Sequence, residues 1–214
     1  KNLHKDDYFR KQDLDINFRK ELKVNKEILN LTKNYGNKLK IALCTSSSKK
    51  VVKRLIKIKS NIYWWNPFLD DPDKKKSITR KMYFLNKLPI INTGGNVGSA
   101  CWMMADSVFN CKKIVLIGMD FGYYLSTKFK NTQYHKVLIK TFGSKKINSF
   151  YKKIYNPFLK KTFYTDYVYI WYKTCLFEMI KYSKNKTFNC TEGGILFGKN
   201  LKNMRLIDFC KNYL

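Results

Sequence analysis

The chain has 214 residues, and what it lacks narrows its chemistry first. It has two histidines, His4 and His135, which excludes a histidine-based metal centre. Its six cysteines include no Cys-x-x-Cys pair, which excludes zinc-ribbon spacing and a dense disulfide framework. Cys44, Cys101 and Cys175 fall in apolar stretches and read as small core residues. The setting this implies is a reducing one, the cytoplasm. No apolar run reaches the roughly 18 residues of a membrane span, and no signal peptide is visible. No Ser-His-Asp or Cys-His constellation can be placed. Acidic residues are scarce, 15 against 43 basic ones, for a net charge of +28. Only five of the 43 are arginine: Arg10, Arg19, Arg54, Arg80 and Arg205. Phosphate and base readers favour the bidentate arginine fork. Here lysine predominates and is spread along the whole chain, which argues against nucleic acid as a partner. Attraction to anionic substrates or to a membrane surface remains compatible with the charge.

What is present is an alternation of strands and helices. Residues 1–37 are charged, with weak helical periodicity at Phe18, Leu22, Ile28, Leu29 and Leu31, and form a helical N-terminal segment. The remainder, 38–214, reads as one domain. Strands are predicted at Lys38–Cys44, Asn61–Trp65, Lys113–Gly118 and Thr187–Cys190. Asn66-Pro67 is expected to stop the second, since proline cannot donate into a ladder. Helices are predicted at Lys49–Lys59, capped by Ser47 or Ser48, from Ser77 to Asn86, Val97–Phe109, Asp166–Ser183 and Met204–Tyr213. In the third, Ala100, Cys101, Met104, Ala105 and Val108 make an apolar stripe. Continuous rather than alternating apolar strands indicate an α/β fold with a mostly parallel, Rossmann-like sheet flanked by helices. Phe121–Thr165 is an irregular, aromatic-rich insertion of the kind that carries a lid or binding loop. C-terminal helices complete the chain.

Three features carry candidate chemistry. Asn92-Thr93-Gly94-Gly95-Asn96-Val97-Gly98 joins a strand to a helix start. Such a turn presents backbone N–H groups and the positive end of a helix dipole. It is neither a Walker loop nor Gly-x-Gly-x-x-Gly. Asp120 ends the strand Ile114–Gly118-Met119, so its carboxylate faces the crevice at the sheet's C-terminal edge, as a ligand or metal contact or as a cap. Asn189-Cys190-Thr191-Glu192-Gly193-Gly194 repeats the strand-to-glycine-turn pattern, and Glu192 there is a general base, a ribose acceptor or a cap. The acidic loop with Asp70, Asp71 and Asp73 reads as a solvated turn. His135, in Gln133-Tyr134-His135, reads as structural rather than catalytic.

The segments Tyr63-Trp64-Trp65-Asn66-Pro67, Asn92 to Gly98, Ile117-Gly118-Met119-Asp120, Asn131-Thr132-Gln133-Tyr134, Ile154-Tyr155-Asn156-Pro157 and Asn189 to Gly198 closely resemble the MptE-like family. That family is named for archaeal 6-hydroxymethylpterin diphosphokinase and includes bacterial motility-associated-factor proteins, which look like flagellin glycosyltransferases. The resemblance runs from about Asp6 to the C-terminus. The upstream Asp-rich motif and the His-containing glycine motif of the diphosphokinases are absent, and the Thr-Gly-Gly-Asn-Val-Gly turn looks like the motility-associated branch. The turn and the Gly-Met-Asp strand also look similar to the nucleotide-binding part of bacterial sialyltransferases, which use a CMP-activated donor and generally need no metal.

The resemblance implies a glycosyltransferase that takes a nucleotide-activated sugar, CMP-nonulosonate-like, and delivers it to an acceptor protein or glycan. The nucleotide would lie on Asn92, Thr93, Gly94, Gly95, Asn96 and Gly98, with Asp120 and Tyr123 beside it. Asn189, Thr191, Glu192, Gly193 and Gly194 would complete the site, with Asp120 or Glu192 as the catalytic base. The alternative activity is pyrophosphoryl transfer from ATP with Mg²⁺ to a hydroxymethylpterin, in which Asp120 becomes a metal-ligand candidate. Family members usually begin further upstream, with another βα unit and a Gly-Pro-Ser-type loop. The chain is therefore expected to hold an N-terminally truncated form, for which a non-catalytic nucleotide-binding domain is a further alternative. The segment Thr165-Asp166-Tyr167 also lacks the proline expected after Asp166.

Overall fold

The computed structural model describes residues 32–214. The helical periodicity expected over 1–37 lies almost wholly outside the described residues; its end, residues 32–35, is helical. The chain divides into two compact units, Lys1–Ile90 and Ile91–Leu214. The architecture is α/β, with parallel strand pairs flanked by helices.

In the first unit β1 (Lys40–Cys44) pairs in parallel with β2 (Asn61–Pro67), and α1 (Lys49–Lys57) connects them. Ser48 caps α1 by accepting from the Val51 N–H. α2 (Ile78–Asn86) follows, then β3 (Ile90–Ile91), which extends the sheet in the order β1-β2-β3. Asn66-Pro67 does not stop β2 where expected. The strand continues because the Asn66 N–H donates to Pro89 O at 2.8 Å, and Pro67 as its last residue has no further ladder bond to supply. The Asn66 side chain is fully buried; it accepts from the Thr45 hydroxyl and exchanges hydrogen bonds with Asn86. The acidic loop is more than a solvated turn. Burial disfavours charge on Asp70, but donors from Ile78 N–H, Thr79 N–H and the Ser77 hydroxyl outweigh it, holding its pKa well below the usual carboxylate range. Asp70 thereby fixes the N-terminus of α2.

In the second unit α3 (Val97–Met103) runs into a π-helical turn, Met104–Val108. β4 (Lys113–Leu116), β8 (Lys186–Asn189) and β9 (Leu201–Asn203) form a parallel sheet in the order β4-β8-β9. The aromatic insertion is present between Phe121 and Thr165, and it carries its own structure. β5 (Tyr123–Tyr124), β7 (Lys161–Asp166) and β6 (Tyr151–Asn156) make an antiparallel sheet in the order β5-β7-β6. α4 (His135–Phe142) lies within the insertion, and α5 (Tyr167–Lys181) and α6 (Leu206–Tyr213) follow it.

The core of this unit gathers Trp102, Ile114, Leu116, Phe163, Leu176 and Leu196. Each such side chain contributes about 1.5–3 kcal/mol on burial. The Trp102 indole N–H donates to the Thr187 hydroxyl at 3.0 Å, which pins α3 to β8. The stripe expected on α3 is displaced: Cys101 is exposed, and so is Val108. The inward face is Ser99, Ala100 and Trp102, and the π turn, closed by the Phe109 N–H on Met104 O, rotates later positions off helical spacing. All six cysteines are free; Cys190 is the buried one, with Cys44 and Cys175 half-buried.

Asp166, expected as the start of the last long helix but one, is fully buried and caps α5, accepting from Tyr169 N–H at 2.9 Å and from the Tyr123 hydroxyl at 3.3 Å. Burial pushes its pKa up, partly offset by these donors. Asp166→Ala removes a cap and leaves a half-buried hydroxyl without its acceptor, so urea unfolding should show a loss of about 2–4 kcal/mol. Asp166→Asn, which retains an acceptor for the helix cap, should lose less than half of that. Equal losses would contradict the assignment.

Candidate functional site

The first glycine turn is closed on itself. The Asn92 side chain accepts from Gly94 N–H at 3.1 Å and the Thr93 hydroxyl from Gly95 N–H at 3.4 Å. Asn96 caps α3, accepting from Ser99 N–H at 2.9 Å and donating to the Ser99 hydroxyl. Gly95 sits at φ 87°, and a Cβ there would come within 2.5 Å of the Trp171 ring and 2.6 Å of Tyr172. The turn is thus packed on α5, and several of its donors are held by its own side chains. Its last glycine, Gly98, lies beside Met119: a Cβ on it would meet the Met119 Sδ at 3.1 Å. The two sequence features that end in Gly98 and Met119-Asp120 do come together.

Asp120 follows β4 at the C-terminal edge of the parallel sheet. Burial pushes its carboxyl above the usual carboxylate range, only partly offset by a hydrogen bond from its own backbone N–H. The second glycine turn lies directly on it. Ile195 N–H donates to Asp120 O at 2.8 Å. A Cβ on Gly193 would run into the Asp120 carboxylate, and one on Gly194, at φ 69°, into the Asp120 backbone. Thr191 joins the same edge, its hydroxyl accepting from Met119 N–H at 3.1 Å. Asp120, Thr191, Gly193 and Gly194 therefore form one constellation, with Gly98 adjoining through Met119.

Other expected site residues are engaged structurally. Asn189 is buried, donates to Leu196 O at 2.7 Å and to Asn203 Oδ1 at 3.0 Å, and accepts from Thr191 N–H. Glu192, at φ 56°, accepts from Leu206 N–H at 3.0 Å and so caps α6, one of the three roles its sequence position allowed. Tyr123 belongs to a separate network. Its ring stacks on Tyr169, its hydroxyl donates to Asp166 and accepts from Gln133 N–H, and burial pushes its pKa up. His135 Nδ1 lies 3.5 Å from the Tyr151 hydroxyl at the start of α4.

Beside the second turn, at the C-terminal ends of β8 and β9, is a cavity of about 340 Å³ lined by Asn156, Asn189, Glu192, Gly193, Asn203 and Asp208 among others. Asn156, Asn203, Arg205 and Asp208 were not among the site residues expected from the sequence. No strand is predicted from the sequence at β9, and the one available signal was Asn156's place in the Ile154-Tyr155-Asn156-Pro157 segment. Among the described residues, no group of three or more His, Cys, Asp or Glu could hold a metal ion, and no helix is long and apolar enough to cross a membrane. In comparisons with known proteins, no protein-family model, curated protein or solved structure matches the chain.

Two outcomes test this geometry. Gly118 and Gly194 both have positive φ, but a Cβ at Gly118 would meet nothing within 4 Å. Gly118→Ala should cost about 1–2 kcal/mol in chemical denaturation, and Gly194→Ala at least about 3, because overpacking adds to backbone strain. Equal costs would refute the close approach to Asp120. The second concerns charge. A carboxyl whose pKa is raised by folding binds its proton more tightly in the native state, so native stability falls as pH rises above about 4. Asp120→Asn removes that loss: its melting temperature should exceed the wild type's at pH 7, with the gap closing towards pH 4. A gap that does not change with pH contradicts a buried charge at Asp120.

Proposed function

We propose that the chain is a nucleotide-dependent transferase of the motility-associated glycosyltransferase type, acting on a CMP-activated, nonulosonate-like sugar and an acceptor protein or glycan. The observation that carries this reading is Asp120: a part-buried carboxylate of raised pKa, just past the C-terminal end of a parallel strand, against a glycine turn whose Gly193 lines a small-molecule-sized cavity. Open α/β sheets bind ligands at this edge. The sequence segments that resemble the MptE-like family, Ile117–Asp120 and Asn189–Gly198 among them, point the same way.

A carboxyl held above its usual range is the stronger base. Asp120 accepts the proton of the acceptor hydroxyl. The hydroxyl oxygen bonds to the anomeric carbon, and the bond from that carbon to the phosphate oxygen breaks. Its electron pair leaves with the nucleoside monophosphate. The self-closed turn 92–98 supplies a rigid wall next to Met119, and Gly193-Gly194 hold the Asp120 carboxylate in place. Glu192, already capping α6, acts through the position of Arg205 and Leu206 rather than as the base.

Calorimetry separates this from pyrophosphoryl transfer. CMP should bind in the presence of a metal chelator, and ATP with Mg²⁺ should not compete with it. Binding of ATP only, and only with Mg²⁺, would transfer the assignment to the pyrophosphokinase. Binding of neither nucleotide would contradict both.

A further inference from the structure

In the first unit, α2 turns an aromatic and basic face to solvent. The helix is anchored by its inner side. The Thr79 hydroxyl accepts from the Leu69 and Asp70 N–H groups at 3.0 Å, and Asn86 exchanges hydrogen bonds with the buried Asn66. Thr79 is fully buried, and Ile78 and Met82 are half-buried beside it. Arg80, Tyr83, Phe84 and Lys87 follow the spacing i, i+3, i+4, i+7, which groups them on the opposite, outer face. Their contacts agree: the Arg80 guanidinium lies 5.8 Å from the Phe84 ring centre, and Lys87 Nζ lies 4.7 Å from that of Phe84 and 5.3 Å from that of Tyr83. Phe84 and Leu85 project furthest, at 60% and 85% exposed.

The charge around this face is of one sign. From Lys74 to Leu88 the chain carries Lys74, Lys75, Lys76, Arg80, Lys81 and Lys87, and no carboxylate. All six cations are exposed, and among the described residues none is held in an ion pair. The carboxylates just upstream have local uses: Asp70 fixes the start of α2, and Asp71 accepts from the Asp73 N–H. Exposed aromatic and leucine side chains among unpaired lysines complement a surface that is anionic outside and apolar beneath. A second copy of the chain is disfavoured, because it would bring the same six cations against these on a protein of net charge +28. A nucleic acid would use the cations and the two rings, but Leu85 has no π face to stack on a base. An anionic bilayer accommodates all three groups.

We propose that α2 and the Lys74–Lys76 run form a peripheral docking face for an anionic lipid bilayer. Phe84 and Leu85 enter the headgroup region, and the cations pair with the lipid phosphates. No residue of this face belongs to the Asp120 constellation, so the proposal stands apart from the transferase reading. Co-sedimentation with vesicles of phosphatidylcholine, with and without phosphatidylglycerol, tests it. The chain should bind the mixed vesicles at least about tenfold more tightly than the neutral ones. Two variants of the face, Phe84→Ser with Leu85→Ser, and Lys74→Gln with Lys75→Gln and Lys76→Gln, should each weaken that binding at least about fivefold. Lys140→Gln with Lys145→Gln and Lys146→Gln removes the same charge from exposed positions in the second unit and should weaken it less than about twofold. All three variants alter exposed side chains and should melt with the wild type. Equal losses from the two lysine variants, with none from Phe84→Ser and Leu85→Ser, would reduce the binding to diffuse charge attraction and overturn the proposal. Failure to bind the mixed vesicles would overturn it too. Two further measurements then reassign the face: single-stranded RNA binding lost in the Phe84→Ser, Leu85→Ser variant would give it to nucleic acid, and a dimer in sedimentation velocity broken by that variant would give it to a second copy.

Discussion

The second unit depends on one close approach: the Gly193-Gly194 turn laid against Asp120. A backbone hydrogen bond from Ile195 to Asp120 O closes it, and neither glycine has room for a Cβ. This contact joins the exit of β4 to the exit of β8. It holds the Asp120 carboxylate part-buried, which raises its pKa, and it leads directly into the buried pair Ile195 and Leu196. Asn156 reaches the same turn from β6 through Gly194 O, so the antiparallel sheet of the insertion is tied to the parallel sheet at this point.

Around that contact the polar groups divide by what holds them. Asn92, Thr93 and Asn96 are spent on shaping the first turn, and Asn189 and Glu192 on shaping the second and capping α6. Asp120 is held mainly by its surroundings. Groups that structure does not consume are the ones chemistry can use. On the proposed reading the reactive carboxylate stands at the end of β4 beside the second glycine turn, whose Gly193 lines the cavity, with the first glycine turn as a support.

Much of the fold was legible in the residues. Apolar runs marked β1 and β4, and Ser48 (with Ser47 as the other candidate), Ser77 and Asp166 marked helix starts that the structure retains as caps, while Asn96, read from the sequence as a ligand contact, is a cap as well. Both glycine turns were legible because a Gly-Gly pair at a strand end frees the backbone for the positive φ that a tight turn needs. The insertion was less so. Its strands are aromatic on both faces, so the period-two signal of a half-buried strand is lost in Lys161–Asp166. The π turn after Met103 hid the true inward face of α3, because a single added residue per turn breaks helical spacing. β9 went unpredicted because three residues, Leu201–Asn203, are too short for a periodic signal, and its pairing with β8 is a long-range contact that no local pattern records.

The central claim is that the ligand site surrounds the Asp120–Gly193–Gly194 contact. Hydrogen–deuterium exchange of the chain with and without CMP measures this residue by residue. Slowed exchange on CMP binding confined chiefly to 117–122 and 189–196 is the predicted result. CMP binding with protection elsewhere in the chain, and none in these two segments, would contradict it.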